Sequence, residues 1–548
     1  MRKNFFTFFV LTTLCCNACT VDDIVVTYNG KSASVEKNSE DSVDVKVDGS
    51  HVIIDSKYKA KELKVRLTGK SEDGTLKLET NGKARVELDG ISLTSNEGAP
   101  LWLKNKKRVE VVACDGKENT LTITACKDTA NNKAAVIWAK DKVHFSGKGT
   151  LNANATGDGC KGINAKDDIK ISELTLNVVA TGNNLGVDNR GFGGFGGFGG
   201  PGMGPGGFNF DELPDSVKQQ MEEMRKHFEE MMKNGDFPQM GGPGGFPGSP
   251  DGGFGGPGGS GHHGGFGGPG GFGGFGGGAS GDPDRGDFPG GKQKYIGTTK
   301  AIKSAGQVII NSGKVFAKST AAGGEGIEGK KGVIINGGEV TVDAVDDAIN
   351  ANDRIFFNGG KVIAESRNND AVDANYGDGM MGFGPPPFMM GGFGNSNENK
   401  ANDKKKEDPT PAIVINGGEI YPWSHTGSPE EGLDCDFYPI EISGGTVFSI
   451  GGGMGEMPSV PSEKTAKQPT ILLLNMTIVK NETINIYESD ENGKAKGKPF
   501  KTIKAPFTFN NSASLVSCAE FKKGKTYTVE TKDYKKTFTL KENFTTVR

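Results

Sequence analysis

Acidic and amide side chains recur in this chain at fixed places beside an aliphatic residue. Glu325-Gly326-Ile327-Glu328-Gly329, Asp347-Ala348-Ile349-Asn350-Ala351, Asp370-Ala371-Val372-Asp373-Ala374 and Glu431-Gly432-Leu433-Asp434-Cys435 share one form: polar, small, aliphatic, polar, small. Lys161-Gly162-Ile163-Asn164-Ala165 repeats it. If such segments stack as strands, the residue after the aliphatic forms an outward column: Trp102, Trp138, Asn164, Asp188, Lys303, Glu328, Asn350, Asp373 and Asp434. The residue two before it forms a second column of Glu325, Asp347, Asp370 and Glu431.

Carboxylates stacked about 5 Å apart repel, so such a row calls for cations. Calcium suits it, because the ion takes about six to eight oxygen ligands in flexible geometry. The expected ligands are Glu325, Glu328, Asp347, Asn350, Asp370, Asp373, Glu431 and Asp434. The plainer alternative is a solvated acidic face neutralised by Lys330, Lys331 and Arg354. A calcium ion with an incomplete shell accepts a uronate carboxylate, and Trp102 and Trp138 can present flat faces to sugar rings. Trp423 and Lys303 complete the candidate carbohydrate contacts, although tryptophan is more often buried than exposed.

The elements that must position these residues are short. The spacing is 22 residues from Ile327 to Ile349 and 23 from Ile349 to Val372. Six residues after the aliphatic another one opens a short strand (Ile169, Val333, Ile355), and turns of the type Asn336-Gly337-Gly338, Asn358-Gly359-Gly360, Asn416-Gly417-Gly418 and Ser443-Gly444-Gly445 lead into one more. A unit of that length hides its apolar face only by stacking on the next. The expectation is an all-β chain built on a right-handed parallel β-helix, a solenoid with Gly/Pro/Phe-rich inserts and a small C-terminal β module.

Four regions follow. Residues 1–19 read as an export signal, with Arg2 and Lys3 before the apolar run Phe5 to Leu14. Ala18-Cys19 followed by Thr20-Val21-Asp22-Asp23 resembles a bacterial lipoprotein site, so Cys19 is the expected lipidation point; an ordinary cleaved secretory signal is the alternative. Residues 20–78 read as an N-terminal β cap, 79–468 as the β-helix, and 469–548 as the C-terminal module. Low-complexity inserts at 190–291 and 377–411 interrupt the helix and can bury no core of their own. Within the first, residues 211–235 have helical spacing, and His262-His263 lacks a third metal ligand nearby. The expected location is an outer-membrane or cell-surface lipoprotein, or a secreted protein, touching membrane only through a lipid anchor. The inserts are candidate contacts for other surface proteins.

The charge balance, 64 Lys+Arg against 68 Asp+Glu, supplies no basic field and argues against a nucleic-acid partner. Cys114, Cys126, Cys160, Cys435 and Cys518 form no CxxC pair and read mainly as small buried residues.

Several blocks in order, Gly98-Ala99-Pro100-Leu101-Trp102-Leu103-Lys104-Asn105, Glu118-Asn119-Thr120-Leu121-Thr122, Gly147-Lys148-Gly149-Thr150-Leu151 and Gly326-Ile327-Glu328-Gly329-Lys330-Lys331, resemble the bacterial carbohydrate-binding domain-containing proteins. The resemblance covers roughly 27–452 without the inserts. It implies an exported β-helix, related in shape to polysaccharide lyases, that binds calcium and an acidic polysaccharide such as polygalacturonate. Turnover is the alternative: a lyase needs a basic residue beside calcium, and Lys303, Lys330 and Arg354 are the candidates. No HExxH, GxSxG or P-loop accompanies them. A structural adhesin, with the coils as spacer, is a third reading.

Overall fold

The computed structural model describes residues 23–38, 42–127, 133–184, 299–376, 410–435, 438–452 and 459–548, all within the unit formed by Met1–Asp188 and Asp284–Arg548. Cys19, Asp188, the helix expected over 211–235, His262-His263 and all but the last two residues of the 377–411 insert lie outside the described residues, as does the whole 190–291 insert.

Among the described residues there are strands and turns but no α-helix. Alternating aliphatic runs bounded by Gly-containing turns have one face to hide, which suits a pleated strand. One coil consists of Ile327–Gly329, Val333–Ile335 and Glu339–Ala344, after which Ile349–Ala351 opens the next. Each strand pairs in parallel with its counterpart one coil on: Ile327 with Ile349, Val333 with Ile355, Val340 with Val362. Ile163, Ile302, Ile327, Ile349 and Val372 therefore form one inward line, and each is fully buried.

The ladder that carries the polar motif has ten strands. It runs from Val43–Asp48 through His51–Ser56, Thr75–Thr80, Leu101–Asn105, Ala135–Ala139, Lys161–Ala165, Ile302–Ser304, Ile327–Gly329 and Ile349–Ala351 to Val372–Ala374. Only the pairing of Val43–Asp48 with His51–Ser56 is antiparallel. Stacking thus begins inside the stretch read as a cap, because Val52 and Ile54 extend the same buried line as Leu76 and Leu78.

The small position of the motif has a steric cause. A Cβ on Gly326 would lie 2.1 Å from Val342 Cγ1 and 2.5 Å from Ala348 O, and one on Gly162 would meet Val178 Cγ1 and Ala301 O at the same distances. The turns have another: Gly338, Gly360 and Gly418 take φ of 90°, 83° and 90°, which a Cβ disfavours. Their asparagines stack into a ladder in which Asn416 Nδ2 donates to Asn358 Oδ1 (2.8 Å), Asn358 to Asn336 (2.8 Å) and Asn336 to Asn311 (2.9 Å).

After Thr446–Phe448 the pattern changes. Thr470–Ile478 runs antiparallel to Phe509–Ser517, and Thr483–Glu488, Lys501–Lys504, Thr526–Glu530 and Lys535–Thr539 form a four-stranded antiparallel sheet. A second apolar cluster that includes Ile471, Ile486, Phe521, Tyr527 and Phe538 holds this part together.

Candidate functional site

Parallel pairing gathers the outward column in the order the spacing predicts. Trp102 is in register with Trp138, Trp138 with Asn164, Asn164 with Lys303, Lys303 with Glu328, Glu328 with Asn350, Asn350 with Asp373, and Asp373 bridges to Asp434. Asn164 is in register with Lys303 directly, so no coil intervenes there. The second column is also in register, through backbone bonds from Ala301 to Glu325 O (3.2 Å), Gly326 to Asp347 O (3.0 Å), Ala348 to Asp370 O (3.3 Å) and Ala371 to Glu431 O (3.0 Å).

The columns differ from a solvated acidic face in one respect: most of their side chains are buried. Glu328 is 0% exposed and Asp347 4%. Lys303, Asn350, Asp370, Asp373 and Glu431 are also buried. Each charge must then be answered by neighbours, and the two ends of the acidic run are answered differently.

At Glu325 and Glu328 the counter-charges are lysines. Lys300 Nζ lies 2.8 Å from Glu325 Oε1 and 2.6 Å from Glu328 Oε2. Lys303 Nζ lies 3.8 Å from the same Glu328 oxygen, and Lys330 pairs with Glu328 Oε1. Burial alone would raise the Glu328 pKa, but Lys300, Lys303 and Lys330 together hold it down at about 2. Glu325 is pushed up instead, first by burial and then by the Glu328 charge, against the pull of Lys300. Lys300 remains an ammonium: burial opposes its charge, and the two glutamates outweigh burial. Lys300 occupies the place two before Ile302, as Glu325 does before Ile327, so aligning Lys300-Ala301-Ile302-Lys303-Ser304 with the motif would have found it.

At Asp347 and Asp370 the neighbours are other acids. Burial, then Asp346, Glu325 and Asp370, raise the Asp347 carboxyl well above the usual range. Burial, then Asp434, Asp373 and Glu430, do the same to Asp370, against the Glu431 N–H that donates to Asp370 Oδ1. Asn350 Nδ2 bridges Asp347 Oδ2 (2.8 Å) and Asp373 Oδ2 (2.9 Å), and Asn375 Nδ2 donates to Asp373 Oδ2 (2.6 Å). Ser459 N–H donates to Glu431 Oε2 (2.6 Å) and its hydroxyl to Asp434 Oδ1 (3.1 Å). Asp347 Oδ1 is buried and has no hydrogen-bond partner.

These differences decide where a cation fits. Lysine ammoniums already fill the space around Glu328, so that part of the expected set does not suit calcium. Glu325 Oε2 and Asp347 Oδ1 both lack a hydrogen-bond partner, but at Asp347–Asp370 the hard oxygen donors face other acids and not ammoniums, which suits calcium. Among the described residues no three His, Cys, Asp or Glu side chains are arranged to hold a metal by themselves. Amide or backbone oxygens, water or a ligand would have to complete the shell.

The tryptophans separate into two places. Trp102 and Trp138 meet edge to face with centroids 6.2 Å apart; Trp138 is buried with Ala99 and Ala135, and Trp102 is half-buried. Trp423 belongs to the strand Glu419–Ser424 of another ladder, donates Nε1–H to Phe448 O (3.2 Å) and packs against the C-terminal apolar cluster. The fold does not bring it to the column.

Residues 48–190 and 287–374 match the family model described as carbohydrate-binding domain-containing protein. A protein of that description from Acetivibrio thermocellus is 32% identical over 102 residues, which is 18% of this chain and 35% of the relative, so the alignment spans about a third of the relative's length. A solved structure, described as the polysaccharide lyase-like protein from C. thermocellum in a gadolinium derivative, is similar over 63% of this chain and 92% of that one, with 16% identity and a TM-score of 0.37. Residues 48–190 and 287–374 are thus similar to the family of carbohydrate-binding domain-containing proteins.

Proposed function

We propose that this chain is an exported carbohydrate-binding protein that holds an acidic polysaccharide, of the polygalacturonate kind, through calcium on its polar ladder. The observation that carries the reading is the buried Asp347–Asp370 pair, whose neighbouring charges are negative and whose Asp347 Oδ1 has no partner. At neutral pH such a pair holds either protons or a cation. Asp347, Asn350, Asp370, Asp373, Glu431 and Asp434 would hold the ion, while Asp346, Glu430 and Asp434, which keep partial exposure, mark the side on which a sugar carboxylate completes the shell. Calcium would supply charge neutralisation and a bridge to the polymer. The coils would wind right-handed, as parallel crossover connections almost always do. Lipidation at Cys19 would hold the protein at the cell surface.

Isothermal titration of the full chain with polygalacturonate, in calcium and in EGTA, tests this reading. Tighter binding in calcium is the expected result. No calcium uptake by the protein, with a melting temperature indifferent to chelator, would remove the metal from it.

A further inference from the structure

The asparagine ladder ends on a serine. Ile171 is in register with Ile310, so Ser172 takes the place of Asn311 one coil earlier in the same column. Every member of the column donates toward it. Ser443 Oγ–H donates to Asn416 Oδ1 (2.9 Å), and the relay through Asn358 and Asn336 finishes with Asn311 Nδ2 donating to Ser172 Oγ (3.2 Å). Because the Ser172 hydroxyl accepts on that side, its own proton is left for His144 Nε2, 3.2 Å away.

On the other side of the ring, His144 Nδ1 lies 3.8 Å from Glu110 Oε1, a contact of the kind that tightens when substrate binds. A carboxylate there calls for the proton on Nδ1 and leaves Nε2 as the acceptor, so both neighbours of the imidazole select one tautomer. Glu110 is itself held: Ser146 Oγ–H donates to Oε1 (2.8 Å) and Arg85 Nη1 to Oε2 (3.1 Å). Glu110, His144 and Lys170 are in register on neighbouring strands, and alternation with the buried Val111, Phe145 and Ile171 turns them outward together with Ser172. The Glu110 and His144 side chains are 18% and 16% exposed, which fixes them yet leaves them within reach of a ligand. Burial, then Lys170 and Arg108, lower the His144 pKa against the pull of Glu110, so the imidazole is neutral at pH 7.

A hydroxyl, a neutral imidazole that accepts its proton and a carboxylate behind the ring are the parts of a serine nucleophile. We propose that Ser172, His144 and Glu110 form an esterase site for a carboxylic ester carried on a polymer, such as an acyl group on a polysaccharide hydroxyl. The site lies on the outer face of a sheet, apart from the acidic ladder, and that openness suits an ester displayed along a chain. His144 Nε2 takes the Ser172 proton as Oγ bonds to the carbonyl carbon, and Asn311 Nδ2, already beside Oγ, donates to the oxyanion that forms. The ester C–O bond breaks and the alcohol leaves with the proton from His144. Water then adds to the acyl carbon, giving His144 a proton that passes to Ser172 as the carboxylic acid departs. Glu110 is a positioning residue.

The test uses the full chain in EGTA with p-nitrophenyl acetate and with acetylated polygalacturonate, reading p-nitrophenolate and acetate. The unaltered protein should cleave both faster than buffer, with kcat rising through one ionisation below pH 7. Ser172→Ala and His144→Gln should each lose about 100-fold with unchanged circular dichroism. Glu110→Gln should lower kcat about tenfold and move that ionisation to lower pH, a shift that a merely structural role would not cause. A fluorophosphonate probe should label Ser172, as located by peptide mass spectrometry. Equal rates in the parent and Ser172→Ala, release no faster than in buffer, or a label on another residue overturns the site, and cleavage of p-nitrophenyl acetate alone overturns the polymer as its substrate. Polygalacturonate binding in calcium should be the same in Ser172→Ala, so the calcium reading stands or falls separately.

Discussion

Replacing Glu328 by Gln isolates the electrostatics of the ladder, because the side chain keeps its shape and loses its charge. In the parent protein this fully buried carboxylate stands among Lys300, Lys303 and Lys330, which bring its pKa from an ordinary 4.5 to about 2. A depressed carboxylate pKa contributes stability that is complete above the unfolded value and disappears as pH falls through the folded one. That difference corresponds to about 3 kcal/mol at neutral pH. Glu325 limits the loss in the variant, since without the Glu328 charge its own carboxylate ionises more readily beside Lys300. Glu328→Gln should therefore cost about 2–3 kcal/mol at pH 7, shrinking toward zero as pH approaches 2. Urea unfolding followed by tryptophan fluorescence, at pH 7 and pH 3 for parent and variant, measures both. A penalty of equal size at the two pH values, or a variant as stable as the parent at pH 7, would refute the assignment of Glu328 as the charged member of this network.

Asp347→Asn should stabilise the protein in EGTA at pH 7, because it removes a carboxyl whose ionisation burial and the neighbouring acids penalise in the fold, and should abolish the rise in melting temperature on adding calcium; an unchanged calcium response excludes Asp347 as a ligand. Gly326→Ala should cost about 1–3 kcal/mol in urea unfolding, since the new methyl meets Ala348 O at 2.5 Å; no loss would mean that the strands separate freely there. Trp423→Phe should lower stability by about 1 kcal/mol through loss of its bond to Phe448 O, with polygalacturonate affinity unchanged; weaker binding would restore it as a sugar contact.

Register was legible in the sequence because the motif carries its own ruler. The aliphatic at Ile163, Ile327, Ile349 and Val372 fixes what faces inward, and the residue beside each then has one place to go. Lys303, Glu328, Asn350 and Asp373 follow in that order for this reason. Burial was not legible. An alternating pattern says which way a side chain points from its own strand, and nothing about what lies above it, so Glu328 read as a calcium ligand, with a solvated face as the alternative, when it is enclosed by three lysines. Two of them, Lys303 and Lys330, are beside it in number or in column, but Lys300 reaches it from the preceding coil. The tryptophans show the same limit: pairing put Trp102 against Trp138, whereas Trp423 answers to a core that only the fold of residues 469–548 creates.

The asparagine ladder has a bearing on where a coil tolerates added length. Asn416 and Asn358 are 58 positions apart in number, yet their amides touch as closely as those of Asn358 and Asn336, which are 22 apart. The extra residues enter the chain between Tyr376 and the strand Ile413–Ile415, at a corner away from that ladder. An insertion at the Asn-Gly-Gly bend would leave one carboxamide without its donor and its acceptor. Added length in this chain accordingly falls at the other corners: 377–411 lies between Val372–Ala374 and Ile413–Ile415, and 190–291 between Thr175–Ala180 and Ile302–Ser304.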